Sequence, residues 1–315
     1  MKFFDENEIT QAISYTELVA KLRYSFQEKY EVPDRIHYQF RSGQGHEDST
    51  LLLMPAWQDE QYVGLKLLTV SPQNDGKKLP TIQGIYVLAD AKNGAILAQF
   101  DAKSLTNLRT ASASALASEY LSREKASSML MLGTGALAPH MIKAHCAVRP
   151  IEQVLVWGRN LEKAGKLCAE LNIPGVEIVP IQSIEQNISN VDIISTATSS
   201  EYPLVLGRDL RAGQHVDLVG AFKPTWREAD DLVIKDSSVF VDTRGGTLKE
   251  SGELLIPMKK GLINEKHIKA DLFDLCNGAH KGRTNEQEVT CFISVGYALE
   301  DLAACELVWK KFLKE

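Results

Sequence analysis

Ser128-Met129-Leu130-Met131-Leu132-Gly133-Thr134-Gly135-Ala136-Leu137-Ala138 is the stretch on which the reading of this chain turns. It opens with a run free of charge, the pattern of a strand buried on both faces of a parallel sheet. The pattern G-x-G-x-x-A follows at once. Gly133 permits the tight turn, Gly135 lets the backbone approach a pyrophosphate, and Ala138 lets the next helix pack closely on the strand. The N-terminus of that helix offers N–H groups and positive potential to an anion. Alone the glycine pattern is a weak signal. Its setting between a strand and a helix, with a second apolar strand at Gln153-Val154-Leu155-Val156-Trp157, marks the start of a dinucleotide-binding unit.

Downstream the alternation continues. A helix is expected at about 160–171, a third strand at Val176–Pro180, and further strands at Val191–Ser195, His215–Val219 and Ser238–Val241. Such alternation predicts a doubly wound parallel sheet. The second strand ends Val156-Trp157-Gly158-Arg159-Asn160. An NAD-binding unit normally carries Asp or Glu about 20 residues after the glycines, to hold the ribose 2′-hydroxyl. A guanidinium there suits a 2′-phosphate and can stack on adenine. Arg159 therefore favours NADP(H), with NAD(H) as the alternative.

Upstream the chain changes character. Ser14 and Glu17 form a capping box, and Leu18, Leu22 and Phe26 share one face of a helix expected over 14–30. Short apolar runs at Leu51–Met54, Gly64–Val70 and Ile85–Leu88 read as strands, with turns at Asp75-Gly76 and Asn93-Gly94. The Ala/Ser-rich stretch 105–121 reads as a tightly packed helix, and a last helix is expected over about 290–313.

Composition sets limits. The chain has 315 residues, with 35 Lys and Arg against 41 Asp and Glu, a net charge of −6. That argues against a nucleic-acid partner, which would need a basic face. No apolar run reaches the roughly 18 residues a bilayer span requires. The N-terminal segment turns acidic at Asp5 and carries no signal-peptide core, so a cytoplasmic protein with no membrane partner is expected. Five cysteines without a C-x-x-C pair and seven scattered histidines predict neither a disulfide frame nor a metal site.

Several segments together resemble the ornithine cyclodeaminase/mu-crystallin family. They are Leu53-Met54-Pro55-Ala56, Lys66-Leu67-Leu68-Thr69-Val70, Leu105-Thr106-Asn107-Leu108-Arg109-Thr110-Ala111 and the glycine motif. Later come Val219-Gly220-Ala221, Pro224-Thr225-Trp226-Arg227-Glu228, Leu248-Lys249-Glu250-Ser251-Gly252-Glu253 and Phe292-Ile293-Ser294-Val295-Gly296. The resemblance covers nearly the whole chain. It implies an α/β fold in which a Rossmann doubly wound parallel sheet is inserted into a discontinuous α+β substrate and dimerisation domain. The expected limits are 1–118 plus 290–315 for the substrate and dimerisation domain, and 119–289 for the dinucleotide domain. A homodimer is implied too. Cofactor contacts are expected from Thr81, Gly133, Thr134, Gly135, Ala136, Leu137, Ala138, Gly158, Arg159, Asn160, Thr196, Ala197, Thr198, Val219, Ala221 and Ser294.

The resemblance also gathers Arg35, Lys66 and Arg109 around a small amino or imino acid. Their chemistry fits. Arg109 is a forked cation expected near the start of a helix, and such a cation beside the positive end of the helix dipole is suited to a carboxylate. Arg35 follows Pro33-Asp34 in a polar loop and can supply a second contact. Lys66 stands between apolar pairs, where a charged amine needs a partner or a lowered pKa, which makes it a candidate proton donor. Met54 and Gln83 are expected on the pocket wall, and His37 is a weaker candidate.

Two departures from the family pattern matter. Ornithine cyclodeaminases resemble V-G-G-D-C-P, with an Asp that handles protons during ammonia loss. Here Phe222 stands in its place within Val219-Gly220-Ala221-Phe222-Lys223-Pro224. Ile293 stands where mu-crystallin-like members carry Lys. The resemblance thus points to reduction of a cyclic imine bearing a 2-carboxylate, giving L-proline or L-pipecolate. Ornithine cyclodeamination, amino-acid dehydrogenation of the alanine dehydrogenase kind, and cofactor binding without catalysis are the rival activities.

Overall fold

The computed structural model describes residues 1–43, 48–74, 79–221 and 223–314. The expected turn at Asp75-Gly76 and the side chain of Phe222 lie outside the described residues. Two compact units form, Met1–Arg109 with Ala298–Glu315, and Thr110–Tyr297.

The first unit begins with β1 (Lys2–Phe4), α1 (Glu6–Ala12) and α2 (Tyr15–Gln27). Asp5 with Glu8, and Ser14 with Glu17, form capping boxes that start the two helices. Leu18, Leu22 and Phe26 of α2 are buried. Then come β2 (Ile36–Phe40), β3 (Ser49–Gln58), β4 (Tyr62–Val70), β5 (Ile82–Asp90) and β6 (Ile96–Asp101). They make a six-stranded sheet in the order β1-β6-β5-β4-β3-β2, antiparallel except where β1 joins β6. The turn at Asn93-Gly94 joins β5 to β6, with Gly94 at φ +76°.

Because side chains alternate between the faces of a sheet, register assigns each residue its face. Met54, Lys66, Tyr86 and Phe100 lie side by side across four strands, and all four are buried. Ile36, Leu53, Leu67 and Ile85 form the adjacent row, on the opposite face. None of these four is fully buried, and Ile36 keeps 40% of its surface exposed.

The helix α3 (Ala102–Leu121) follows, and the division between the units falls inside it. The second unit holds β7 (Ser128–Leu132), α4 (Ala138–Val148), β8 (Gln153–Trp157), α5 (Leu161–Glu170), β9 (Glu177–Ile181), β10 (Ile193–Thr196) and β11 (His215–Leu218). It continues with α6 (Asp231–Asp236), β12 (Ser238–Val241), α7 (Arg244–Glu250), α8 (Gly252–Lys259), β13 (Ile268–Asp271), α9 (Leu272–Cys276) and β14 (Thr290–Ile293). All eight strands are parallel, in the order β13-β12-β14-β11-β10-β7-β8-β9. From β7 the chain winds outward through β8 and β9, then returns to β10 on the other side, so the topological switch lies between β7 and β10. Leu130, Leu132, Ile194, Val216, Leu218 and Ile293 share one hydrophobic core.

The last helix, α10 (Ala298–Phe312), belongs to the first unit and packs on α2, β3 and β4. The expected helix over 290–313 is thereby corrected at its start. Thr290–Ile293 is a fully buried strand between β11 and β12, because an uncharged run of four residues in a parallel sheet needs no alternation. The expected domain limits at 118/119 and 289/290 both fall within the second unit, the first of them in the uninterrupted α3.

Candidate active site

Two clusters carry the chemistry, one in each unit. In the first, β4 lies between β3 and β5, so Lys66 is not on a sheet edge. Its side chain is 1% exposed, and Nζ donates to Asp301 Oδ2 at 2.7 Å. Arg109 is buried beside it. Its Nε donates to Asp301 Oδ1 at 3.0 Å and its Nη1 to Glu300 Oε2 at 2.8 Å. Among the described residues no hydrogen bond leaves Nη2 of Arg109. Burial first, and then the charge of Arg109, push the Lys66 amine down to about 8 against the pull of Asp301. Burial works against ionised Asp301, but Arg109 and Lys66 outweigh it and hold its carboxyl below the ordinary range.

The helix-dipole argument for Arg109 does not hold. α3 starts at Ala102, so Arg109 stands in its third turn, beyond the reach of the N-terminal field. The carboxylates of α10 hold the guanidinium instead. Glu300 and Asp301 are functional candidates that the sequence reading missed. The available signal was two adjacent acids inside the apolar stretch 298–308. Arg35 immediately precedes β2, is half-buried, and its charge acts on Lys66. Met54 is the register partner of Lys66 on β3 and is buried with it. His37 and Gln83 are exposed on their strands. Thr81 also belongs to this unit, and its carbonyl accepts the Ser71 N–H at 2.8 Å.

In the second unit, β7 ends in the glycine turn. Gly133 adopts φ +123°, and a Cβ there would come within 2.6 Å of the Ala197 carbonyl oxygen. A Cβ on Gly135 would meet no protein atom within 4 Å, so open space lies over the turn. α4 begins with Leu137 at its cap and no side-chain cap. Among the described residues, the N–H groups of Gly135, Ala136 and Leu137 find no hydrogen-bond partner. They form the expected anion cradle at a helix start. A cleft of about 500 Å³ opens here, and Gly133, Thr134, Gly135, Gly158, Arg159, Ala197 and Thr198 line it. Arg159 is exposed and makes no ion pair among the described residues. Trp157, Ser199, Ser200 and Tyr202 also line the cleft, and the sequence reading did not assign them to the cofactor.

The other expected cofactor residues do not line that cleft. Ala138 is buried, where its small side chain lets α4 start close to the sheet. Asn160 caps α5, its side-chain oxygen accepting the Lys163 N–H at 3.1 Å. Thr196 is buried, and its hydroxyl donates to Glu228 Oε2 at 2.6 Å. Val219 and Ala221 are buried just past β11. Ser294 is buried and donates to Asp242 Oδ2 at 3.0 Å. The side chains of Asn160, Thr196 and Ser294 thus each bond to protein groups.

The donor set fits a dinucleotide: a turn with glycines at 133 and 135, an uncapped helix start and, at the end of the second strand, a guanidinium with no ion pair among the described residues. Comparison with known proteins agrees. The family model described as "Ornithine cyclodeaminase/mu-crystallin family" matches residues 4–315. A Delta(1)-pyrroline-2-carboxylate reductase of Colwellia psychrerythraea is 37% identical over 314 residues, covering 99% of each chain. The solved structure of Thermococcus litoralis Delta(1)-pyrroline-2-carboxylate reductase with NADH and L-proline superposes with a TM-score of 0.92 at 33% identity, covering 100% of this chain and 98% of that one. An archaeal alanine dehydrogenase dimer with bound NAD gives a TM-score of 0.90 at 27% identity, covering 100% and 96%. On the match across its whole length, the chain belongs to the ornithine cyclodeaminase/mu-crystallin family.

Proposed function

We propose that this protein is an NAD(P)H-dependent reductase of cyclic imines that bear a 2-carboxylate, producing L-proline from the five-membered ring or L-pipecolate from the six-membered one. The buried grouping of Lys66, Arg109, Asp301 and Glu300 carries this reading. It provides a proton-bearing amine beside a guanidinium with an unused donor, in a site shielded from water. The relatives named for the same reaction support it.

When bound, the reduced dinucleotide supplies a hydride. The chain's own residues do the rest. Arg109, through Nη2, and Arg35 take the substrate carboxylate. Lys66 gives its proton to the ring nitrogen, for which an amine pushed down to about 8 is well matched. Asp301 holds Lys66 and Arg109 in place and keeps Lys66 protonated at neutral pH. Positioning and electrostatics suffice, because the electrophile is the iminium itself. The dinucleotide cleft favours NADP(H), since Arg159, which lines it, is exposed and makes no ion pair among the described residues, leaving a guanidinium available to a 2′-phosphate. The apolar row Ile36-Leu53-Leu67-Ile85 and its neighbours supply the contact for a second copy of the chain, giving a homodimer.

The test is loss of nicotinamide absorbance with NADPH and with NADH over one panel: the pyrroline and piperideine 2-carboxylates, pyruvate with ammonia, and ornithine without reductant. Oxidation with the cyclic imines is expected. Oxidation only with pyruvate and ammonia, or ammonia release from ornithine, would overturn the reading.

A further inference from the structure

We propose that Glu228 is a positioning residue that fixes the wall of the dinucleotide cleft, an assignment that rests on the dinucleotide reading above. Its side chain is fully buried. Among the described residues, the carboxylate takes four hydrogen bonds and none comes from a cation. Oε1 accepts from the Thr198 N–H at 2.7 Å and the Thr198 hydroxyl at 2.7 Å. Oε2 accepts from the Thr196 hydroxyl at 2.6 Å and the Gly220 N–H at 2.6 Å. The donors are the last residue of β10 and residues two past the ends of β10 and β11, neighbouring strands in the middle of the sheet. One side chain therefore ties both loops together.

Those loops matter to the cleft. Ala197 and Thr198 line it, and the Ala197 carbonyl abuts the glycine turn at Gly133. A Cβ on Gly220 would collide with both the Thr198 carbonyl and Glu228, so the junction has no slack. Glu228 is itself anchored: its N–H donates to the buried Glu253 carboxylate, and its carbonyl accepts from Leu204 and Val205 at 2.7 and 2.9 Å. Leu204 is a further cleft residue.

The chemistry demands an acceptor on both oxygens. The threonine hydroxyls can rotate, but the N–H groups of Thr198 and Gly220 cannot. A glutamine would set its NH2 against one of them and leave that N–H buried and unpaired, a penalty that relaxation of the loop would relieve. The loop that relaxes is the one facing the coenzyme.

The experiment is fluorescence titration of the intact chain with NADPH and NADH, together with steady-state kinetics on the cyclic imine. In Glu228→Gln the dissociation constant of the reduced coenzyme should rise about tenfold, which is about 1.4 kcal/mol, while KM for the imine at saturating coenzyme stays within about twofold. A purely structural role would lower the melting temperature without that split. Equal coenzyme affinity in a folded Glu228→Gln overturns the assignment. Should that variant fail to fold, Thr196→Val removes one of the four bonds at constant shape. It should raise the dissociation constant about threefold, and no rise overturns the assignment. A wild-type chain that binds neither coenzyme overturns the dinucleotide reading, and this assignment falls with it.

Discussion

Lys66 and Asp301 meet at 2.7 Å across 235 positions of sequence, both buried. Arg109 approaches the second oxygen of the same carboxylate at 3.0 Å. One acid on the last helix therefore favours the charged form of an amine on a central strand against burial and the Arg109 charge, and the consequences can be measured.

The first concerns pH. If Lys66 protonates the imine, the active form carries the proton, so kcat/KM should fall with unit slope as pH rises through about 8. Lys66→Ala should lose about a hundredfold or more in kcat at neutral pH. Lys66→Arg, whose side chain stays protonated, should remove the alkaline limb at reduced turnover. A full-rate Lys66→Ala enzyme would take Lys66 out of the mechanism.

Asp301→Asn strips the counter-charge from two buried cations. Breaking a buried pair from one side costs about 3–5 kcal/mol, so the urea midpoint should drop steeply. Asp301 raises the Lys66 pKa, so the alkaline limb of any surviving activity should move to lower pH. An unmoved limb would mean that Asp301 does not govern Lys66.

Arg159→Asp tests coenzyme choice. A charge-assisted contact to a 2′-phosphate is worth about 1.5–3 kcal/mol, so the ratio of kcat/KM for NADPH over NADH should fall at least about tenfold. The same ratio in wild type and variant would show that Arg159 does not read the ribose.

Glu253 bears on stability. Its burial, and the nearby charge of Glu228, push its carboxyl up to about 8 against the hydrogen bond from the Glu228 backbone. The folded state therefore holds a proton that the unfolded chain releases near pH 4.5. That contribution is complete at lower pH and is lost as pH rises to about 8. Denaturant midpoints of Glu253→Gln against pH should lack this fall. A parallel profile for wild type and variant would assign the proton elsewhere.

The proposed homodimer predicts that Leu67→Asp, on the row shared with Leu53 and Ile85, gives a monomer by light scattering with secondary structure intact. An unchanged mass would show that this row is not a contact between copies.

The dinucleotide unit was largely legible because its signals are local. The glycine turn and its flanking strands each lie within a few residues of what they act on. Lys66 was legible for a similar reason, since a charge among leucines on a short strand has few explanations. Its partners were not, because Glu300 and Asp301 come from the far end of the chain and a helical wheel does not say which strand it will cover. Thr196 and Ser294 were expected at the cofactor, yet their hydroxyls turn to the buried acids Glu228 and Asp242, which are distant in sequence. Arg109 was found for a reason that failed. Its helix begins earlier than the Ala/Ser-rich stretch suggests, because Ala102 and Ser104 join it.

The split first unit has a consequence for biosynthesis. Residues 110–297 emerge from the ribosome as one contiguous block and can close their core as they appear. The sheet that precedes them cannot. Lys66 on that sheet and Arg109 on the helix after it are made while their acidic partners remain untranslated, and an unpaired cation resists being drawn out of water. The part of the polypeptide made first is therefore completed last, once the terminal helix delivers Glu300 and Asp301.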